Sequence, residues 1–186
     1  SGSLTIGTLA SASLTNVAFA TNRGPTVLDW TKVVNAGTTT KATTITLTTA
    51  VDFAVSGTLA SLDVAGFLGG SADFAVSRQL VSTSDGVVTN GQLMLLSRSH
   101  MNLLVGSSTM GVAITSGNLT LASLAVGTRK YLAIEATDVG ATLTVPGITG
   151  TVQHLNVKLN TATGTPTPLD WTKVLNPPSG LPTFTH

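Results

Sequence analysis

The stretch Pro25-Thr26-Val27-Leu28-Asp29-Trp30-Thr31-Lys32-Val33-Val34-Asn35 recurs as Pro166-Thr167-Pro168-Leu169-Asp170-Trp171-Thr172-Lys173-Val174-Leu175-Asn176. Only Val27/Pro168 and Val34/Leu175 differ, and both tryptophans of the chain stand at the same place in the block. The numbering offset is constant through the block, 170 − 29 = 141. Self-similarity at a fixed distance marks a repeat architecture. Upstream, Leu4-Thr5-Ile6 aligns with Leu143-Thr144-Val145, and the run Asn16–Thr21 aligns with Asn156–Thr161. The chain therefore divides into three parts. Residues 1–35 are the tail of one copy, and residues 36–176 are one whole copy whose length equals that offset. Residues 177–186 are the start of the next copy or a linker.

Composition narrows the class. Charged residues make up 9% of the chain, the net charge is +1, and Lys and Arg are scattered. Such a surface has no electrostatic reason to bind nucleic acid. There is no cysteine, which excludes disulfides and thiolate metal sites. No apolar run approaches the roughly 18 residues of a membrane-spanning helix, so no membrane insertion is expected.

Residues that favour surface helices are scarce, whereas Thr, Val, Ser, Gly and Asn dominate. Short alternating runs separated by Gly, Asn, Asp and Ser read as strands and turns. The runs fall at 43–48, 51–59, 62–68, 71–81, 93–97, 101–105, 112–114, 119–126, 130–137, 142–145 and 151–160. Reversals are expected at Gly69-Gly70, Ser84-Asp85-Gly86, Asn90-Gly91, Gly106-Ser107-Ser108 and Ser116-Gly117-Asn118. Links this short join antiparallel neighbours, because parallel crossovers need a dozen or more residues. The expectation is an all-β, mostly antiparallel meander or sandwich-like module with negligible helix. A β-solenoid is the alternative.

The Trp block is the one candidate for a helical turn, with Asp29 as the cap and Trp30 and Val33 or Val34 on one side. Leu28, Asp29, Trp30 and Val33, and their counterparts Leu169, Asp170, Trp171 and Val174, are expected to form a seam between copies. The competing reading is that each indole completes the core of its own copy.

Catalytic signals are thin. Ser97-Arg98-Ser99-His100 is the one cluster suggestive of nucleophile chemistry, but no Gly-x-Ser-x-Gly elbow accompanies it. The chain is expected not to be an enzyme, a hydrolase being the weaker alternative. No cofactor is expected. Asp52, Asp63 and Asp73 are spaced about one strand apart and could share a cation, calcium being the ion that suits carboxylate oxygens.

Leu28–Thr31 and Leu169–Thr172, with Leu62–Leu68, Gly70–Val76 and Asn102–Gly106, resemble the long tandem repeats of giant bacterial cell-surface or secreted proteins of adhesin type. The resemblance implies an extracellular β-rich module and carries no catalytic residues. Its partners would be neighbouring copies of the repeat or identical chains, and surface glycans in the alternative of a carbohydrate-binding module.

Overall fold

A computed structural model describes residues 1–186 except Thr8, Thr46, Ser108, Pro166 and His186. Eight strands follow in chain order: β1 Gly2–Ile6, β2 Ala10–Thr21, β3 Val51–Val64, β4 Leu68–Val81, β5 Gly91–Gly106, β6 Gly111–Val126, β7 Arg129–Val145 and β8 Ile148–Thr163. Each pairs antiparallel with the next, giving one open sheet with β1 and β8 at its edges. The meander expected from the short links is what forms. It is a single sheet rather than two packed sheets, and its antiparallel ladders exclude the solenoid.

Local chemistry sets the reversals. Ala65 and Gly66, at φ 53° and 67°, turn the chain between Val64 and Leu68. The reversal expected at Gly69-Gly70 is not there, because both glycines lie inside β4. A Cβ on Gly70 would stand 2.2 Å from the Asn102 carbonyl oxygen, so this glycine permits a close approach of β4 to β5. Gly86 and Asn90, both at positive φ, shape the β4–β5 link as expected.

Two further expectations are corrected. The described residues of 43–48 are not a strand, although they alternate; the expected run also includes Thr46, outside the described residues. Leu47 O accepts from Trp30 N and Thr48 O from Asn22 Nδ2, so the segment serves the first Trp block instead of a ladder. The stretches around 97–101 and 116–118 are not strand ends either. β5 and β6 each run straight through them for 16 residues.

What the sequence offers there are bulges. Asn16, His100, Gly117, Asp138 and His154 take positive φ in mid-strand, on β2, β5, β6, β7 and β8. Register shifts accompany this line between Thr15 and Ala18, Ile114 and Asn118, and Ala136 and Val139. The shifts at Leu59/Leu62 of β3 and Ser71/Asp73 of β4 continue it. The sheet is thus creased across its middle. A bulge adds one residue, bends its strand and increases the local twist. The four non-glycine residues are Asn, Asp or His, the types that tolerate this conformation best.

The chain after β8 returns over one face. Trp171, Leu169, Val174 and Leu181 pack there on Leu93 and Leu95 of β5, Leu124 of β6 and Tyr131 of β7. Burying each of these leucines contributes roughly 1.5–3 kcal/mol. The core therefore lies between half of the sheet and the C-terminal coil. Most of the opposite face and all of β8's outer stretch stay in solvent.

Candidate functional site

The two Trp blocks fold alike. Trp30–Lys32 and Trp171–Lys173 are 3-10 turns capped by Asp29 and Asp170. Asp29 Oδ1 accepts from Thr31 N at 3.1 Å and from Thr31 Oγ1 at 2.5 Å, and Asp170 does the same with Thr172 at 3.1 and 2.5 Å. The Thr31 hydroxyl, with help from Lys32, holds the Asp29 carboxyl below the ordinary carboxylate range. Each indole N–H then donates to an asparagine: Trp30 to Asn22 Oδ1 at 3.2 Å, Trp171 to Asn160 Oδ1 at 3.0 Å.

Each asparagine ties down two chain segments. Asn22 Nδ2 donates to Leu28 O and Thr48 O, both at 2.9 Å. Asn160 Nδ2 donates to Leu169 O at 2.8 Å and, more weakly, to Thr185 O at 3.5 Å. Trp30 N donates to Leu47 O and Trp171 N to Phe184 O. Asn22 therefore matches Asn160, an offset of 160 − 22 = 138. That shifts the upstream alignment by two from the one expected, Asn16 with Asn156. The structural counterpart of Asn16 is His154, and both take positive φ at the crease. Leu47-Thr48 correspondingly matches Phe184-Thr185.

The blocks differ in what lies beneath them. Trp171 is 1% exposed, Leu169 and Val174 are buried, and all three belong to the main apolar cluster. Leu181, from the segment after the block, closes over them. Trp30 and Val33 are only half-buried, and Leu28 is half in solvent. The reason is local. β1 is five residues long and pairs only with Ala10–Leu14, so it stops short of the level where Trp30 meets Asn22.

A second grouping lies along the crease. Asp73 of β4 accepts from Thr58 Oγ1 at 2.7 Å and contacts His100 Nδ1 of β5 at 2.9 Å. The Thr58 hydroxyl first, and His100 second, hold the Asp73 carboxyl below its usual range. Asp138 of β7 contacts His154 Nδ1 of β8 at 2.5 Å, and its backbone N–H donates to Asn156 Oδ1 at 2.9 Å. Between the pairs runs an open trough of about 390 Å³, lined by His100, Asn102, Ser116, Asn118 and Asp138 among others. A histidine oriented by a carboxylate is a proton acceptor or hydrogen-bonding group of fixed direction. His100 has such a carboxylate, but among the described residues no serine hydroxyl bonds to its other ring nitrogen.

Asp52, Asp63 and Asp73 do not converge. Asp52 and Asp63 sit near opposite ends of β3, about 36 Å apart at strand rise. Asp52 is paired with Arg23 and Arg78, and both guanidinium groups also lie over the Phe53 ring. Asp63 accepts from Gly66 N in the β3–β4 turn. Among the described residues no three His, Asp or Glu side chains gather as a metal-binding set.

The sequence reading missed the crease, although a signal exists: a polar residue, then Asn, Asp or His, then an apolar residue. It stands at Thr15-Asn16-Val17, Ser99-His100-Met101, Thr137-Asp138-Val139 and Gln153-His154-Leu155. Neither a family model, a curated protein nor a solved structure matches this chain.

Proposed function

We propose that this chain is a structural or adhesive building block of an extracellular fibre or giant surface protein, in which copies of the unit 36–176 stack on one another. One observation carries the reading. Two Trp blocks one repeat apart, with their Asp caps and Asn partners, take the same conformation at the ends of β2 and β8 of one continuous sheet. The unit's chemistry is mechanical: ladders resist shear, and an indole clasps one copy's sheet to the opening segment of the next. Few charges and many exposed apolar side chains suit a surface covered by further copies.

The test is thermal melting of a chain with residues 36–176 present twice in tandem. Stacked copies melt in one transition above that of the present chain. Two transitions, or an unchanged melting temperature, contradict the reading.

The polar trough on the crease favours a second reading, a glycan-binding module. Its imidazole, carboxylate, amides and hydroxyls are groups that bond sugar hydroxyls, and His100, Asn102, Asn118 and Asp138 would make the contacts. A glycan array with a His100→Ala control tests it: retained glycans lost in the variant support it, and an empty array counts against it.

A further inference from the structure

β8 is an edge strand of 16 residues whose first twelve are all exposed. Ile148, Val152, Leu155, Val157 and Leu159 stand 45–65% in solvent. A long apolar edge with unpaired backbone groups is a template for another strand. β2 shows which strand fits. β1 and β2 correspond to β7 and β8 pair for pair: Gly2↔Leu14 matches Ala141↔Val152, Leu4↔Ala12 matches Leu143↔Gly150, and Ile6↔Ala10 matches Val145↔Ile148. β2 and β8 share the mid-strand positive φ, at Asn16 and His154, and the asparagine that holds the indole. On β2 the edge that β8 leaves bare is occupied by β3.

We propose that the free edge of β8 is the docking site for a further strand of the β3 sequence, supplied by the following copy, so that the copies form one uninterrupted antiparallel sheet. This rests on the repeat reading and specifies its geometry. The register transfers from β2 to β8 at the same offset that carries Asn22 onto Asn160. Ala10↔Val64, Ser13↔Ser61, Ala18↔Ser56 and Thr21↔Phe53 become Ile148, Thr151, Asn156 and Leu159 facing those same β3 residues of the next copy.

The delivery route is already built. Thr48 O, bonded to Asn22, lies three residues before Val51, where β3 begins along β2. Thr185 O occupies the same place against Asn160, so chain continuing from Thr185 arrives at the matching end of β8. Each copy contributes six strands, β3 to β8, which advances the sheet by about 29 Å per copy at strand spacing.

Backbone direction makes the proposal specific. Asn22 N donates to Asp52 O, and by the two-residue alternation of a strand Ala20 and Ala18 also turn their N–H groups toward β3. Their counterparts Asn160, Lys158 and Asn156 turn theirs to the free edge. The test is hydrogen exchange on the full chain, read residue by residue by NMR, with a synthetic peptide of residues 49–65. Near saturation the peptide slows exchange at Asn156, Lys158 and Asn160 at least tenfold and leaves Val157 and Leu159 unchanged. A scrambled peptide, and one carrying Ala54→Pro opposite Lys158, slow exchange at none of the five.

Should the free peptide self-associate, the same sequence is appended directly after Thr185 in place of His186, and the three amides are compared with those of the unextended chain. Absence of protection in the appended chain, or protection at β1 instead of β8, overturns the proposal. If the tandem chain nevertheless melts above the single one, copies stack without sharing a sheet and only the edge proposal falls. If both experiments fail, the repeat reading falls with it.

Discussion

The indole N–H of Trp171 donates to Asn160 Oδ1 at 3.0 Å inside the main core, while Trp30 makes the same bond to Asn22 at 3.2 Å with its ring only half-buried. The pair of contacts is a built-in control, one bond geometry at two depths. Asn160→Ala strands a buried N–H and releases Leu169 O, so it lowers stability by about 1–3 kcal/mol. Asn22 is itself buried, but the indole it holds is only half-buried and the N–H it strands is reached by water, so Asn22→Ala costs less. Urea unfolding of the two variants checks the order, and equal losses would contradict it.

Trp171→Ala removes the largest side chain of the core. The expected loss is about 3–5 kcal/mol, as for other buried aromatics. Trp30→Ala in this chain loses visibly less, since Trp30 is only half-buried and lies outside the main apolar cluster. The midpoint of urea unfolding for both variants is the measurement.

Ala65 turns the β3–β4 link at φ 53°, a conformation that costs an L side chain roughly 1–2 kcal/mol. Glycine avoids that cost but loses more chain entropy on folding. Ala65→Gly therefore raises stability, by up to about 1 kcal/mol. Gly70→Ala does the reverse and more strongly, because its Cβ would enter the Asn102 carbonyl. Thermal melts of the two variants should move in opposite directions.

Acid should loosen the β2–β4 region. Arg23 first, then Arg78, hold the Asp52 carboxyl below its ordinary value, and Thr58 with His100 do so for Asp73. A carboxyl whose folded pKa lies below its unfolded one, about 3.9, stabilises the fold fully above that value. The contribution fades as pH falls through the folded pKa. Stability measured from pH 6 to 2 thus declines in the acid limb, and Asp52→Asn and Asp73→Asn each flatten it. A limb unchanged in both variants would contradict the assignment.

Much of the architecture could be read from residue order. Alternating Thr, Val and Leu gave strands, and the absence of helix formers gave an all-β chain. Asp29 announced a capped turn, and the second copy of the block repeats it at Asp170. The errors share one physical cause. Glycine, asparagine and histidine at positive φ serve a reversal and a bulge equally well, so Ser116-Gly117-Asn118 reads as a turn until its neighbours are known. Which applies depends on the strands alongside: Gly117 lies between β5 and β7, in line with His100 and Asp138. Similarly, the 43–48 run alternates like a strand, yet Asn22 and Trp30 claim its carbonyls. The His–Asp pairs were out of reach because Asp73 and His100 lie 27 residues apart and meet only through register.

Trp171 is enclosed over the sheet and Trp30 is only half-buried, so Trp30 reports directly on the proposed stacking of copies once Trp171→Phe leaves it as the sole tryptophan. With residues 36–140 placed ahead of Gly2, the added strands extend β1 and lay a floor under Trp30. Its fluorescence emission then shifts to the blue, and acrylamide quenching falls toward that of a buried indole. An emission maximum and quenching constant identical to those of the unextended Trp171→Phe chain would contradict the account.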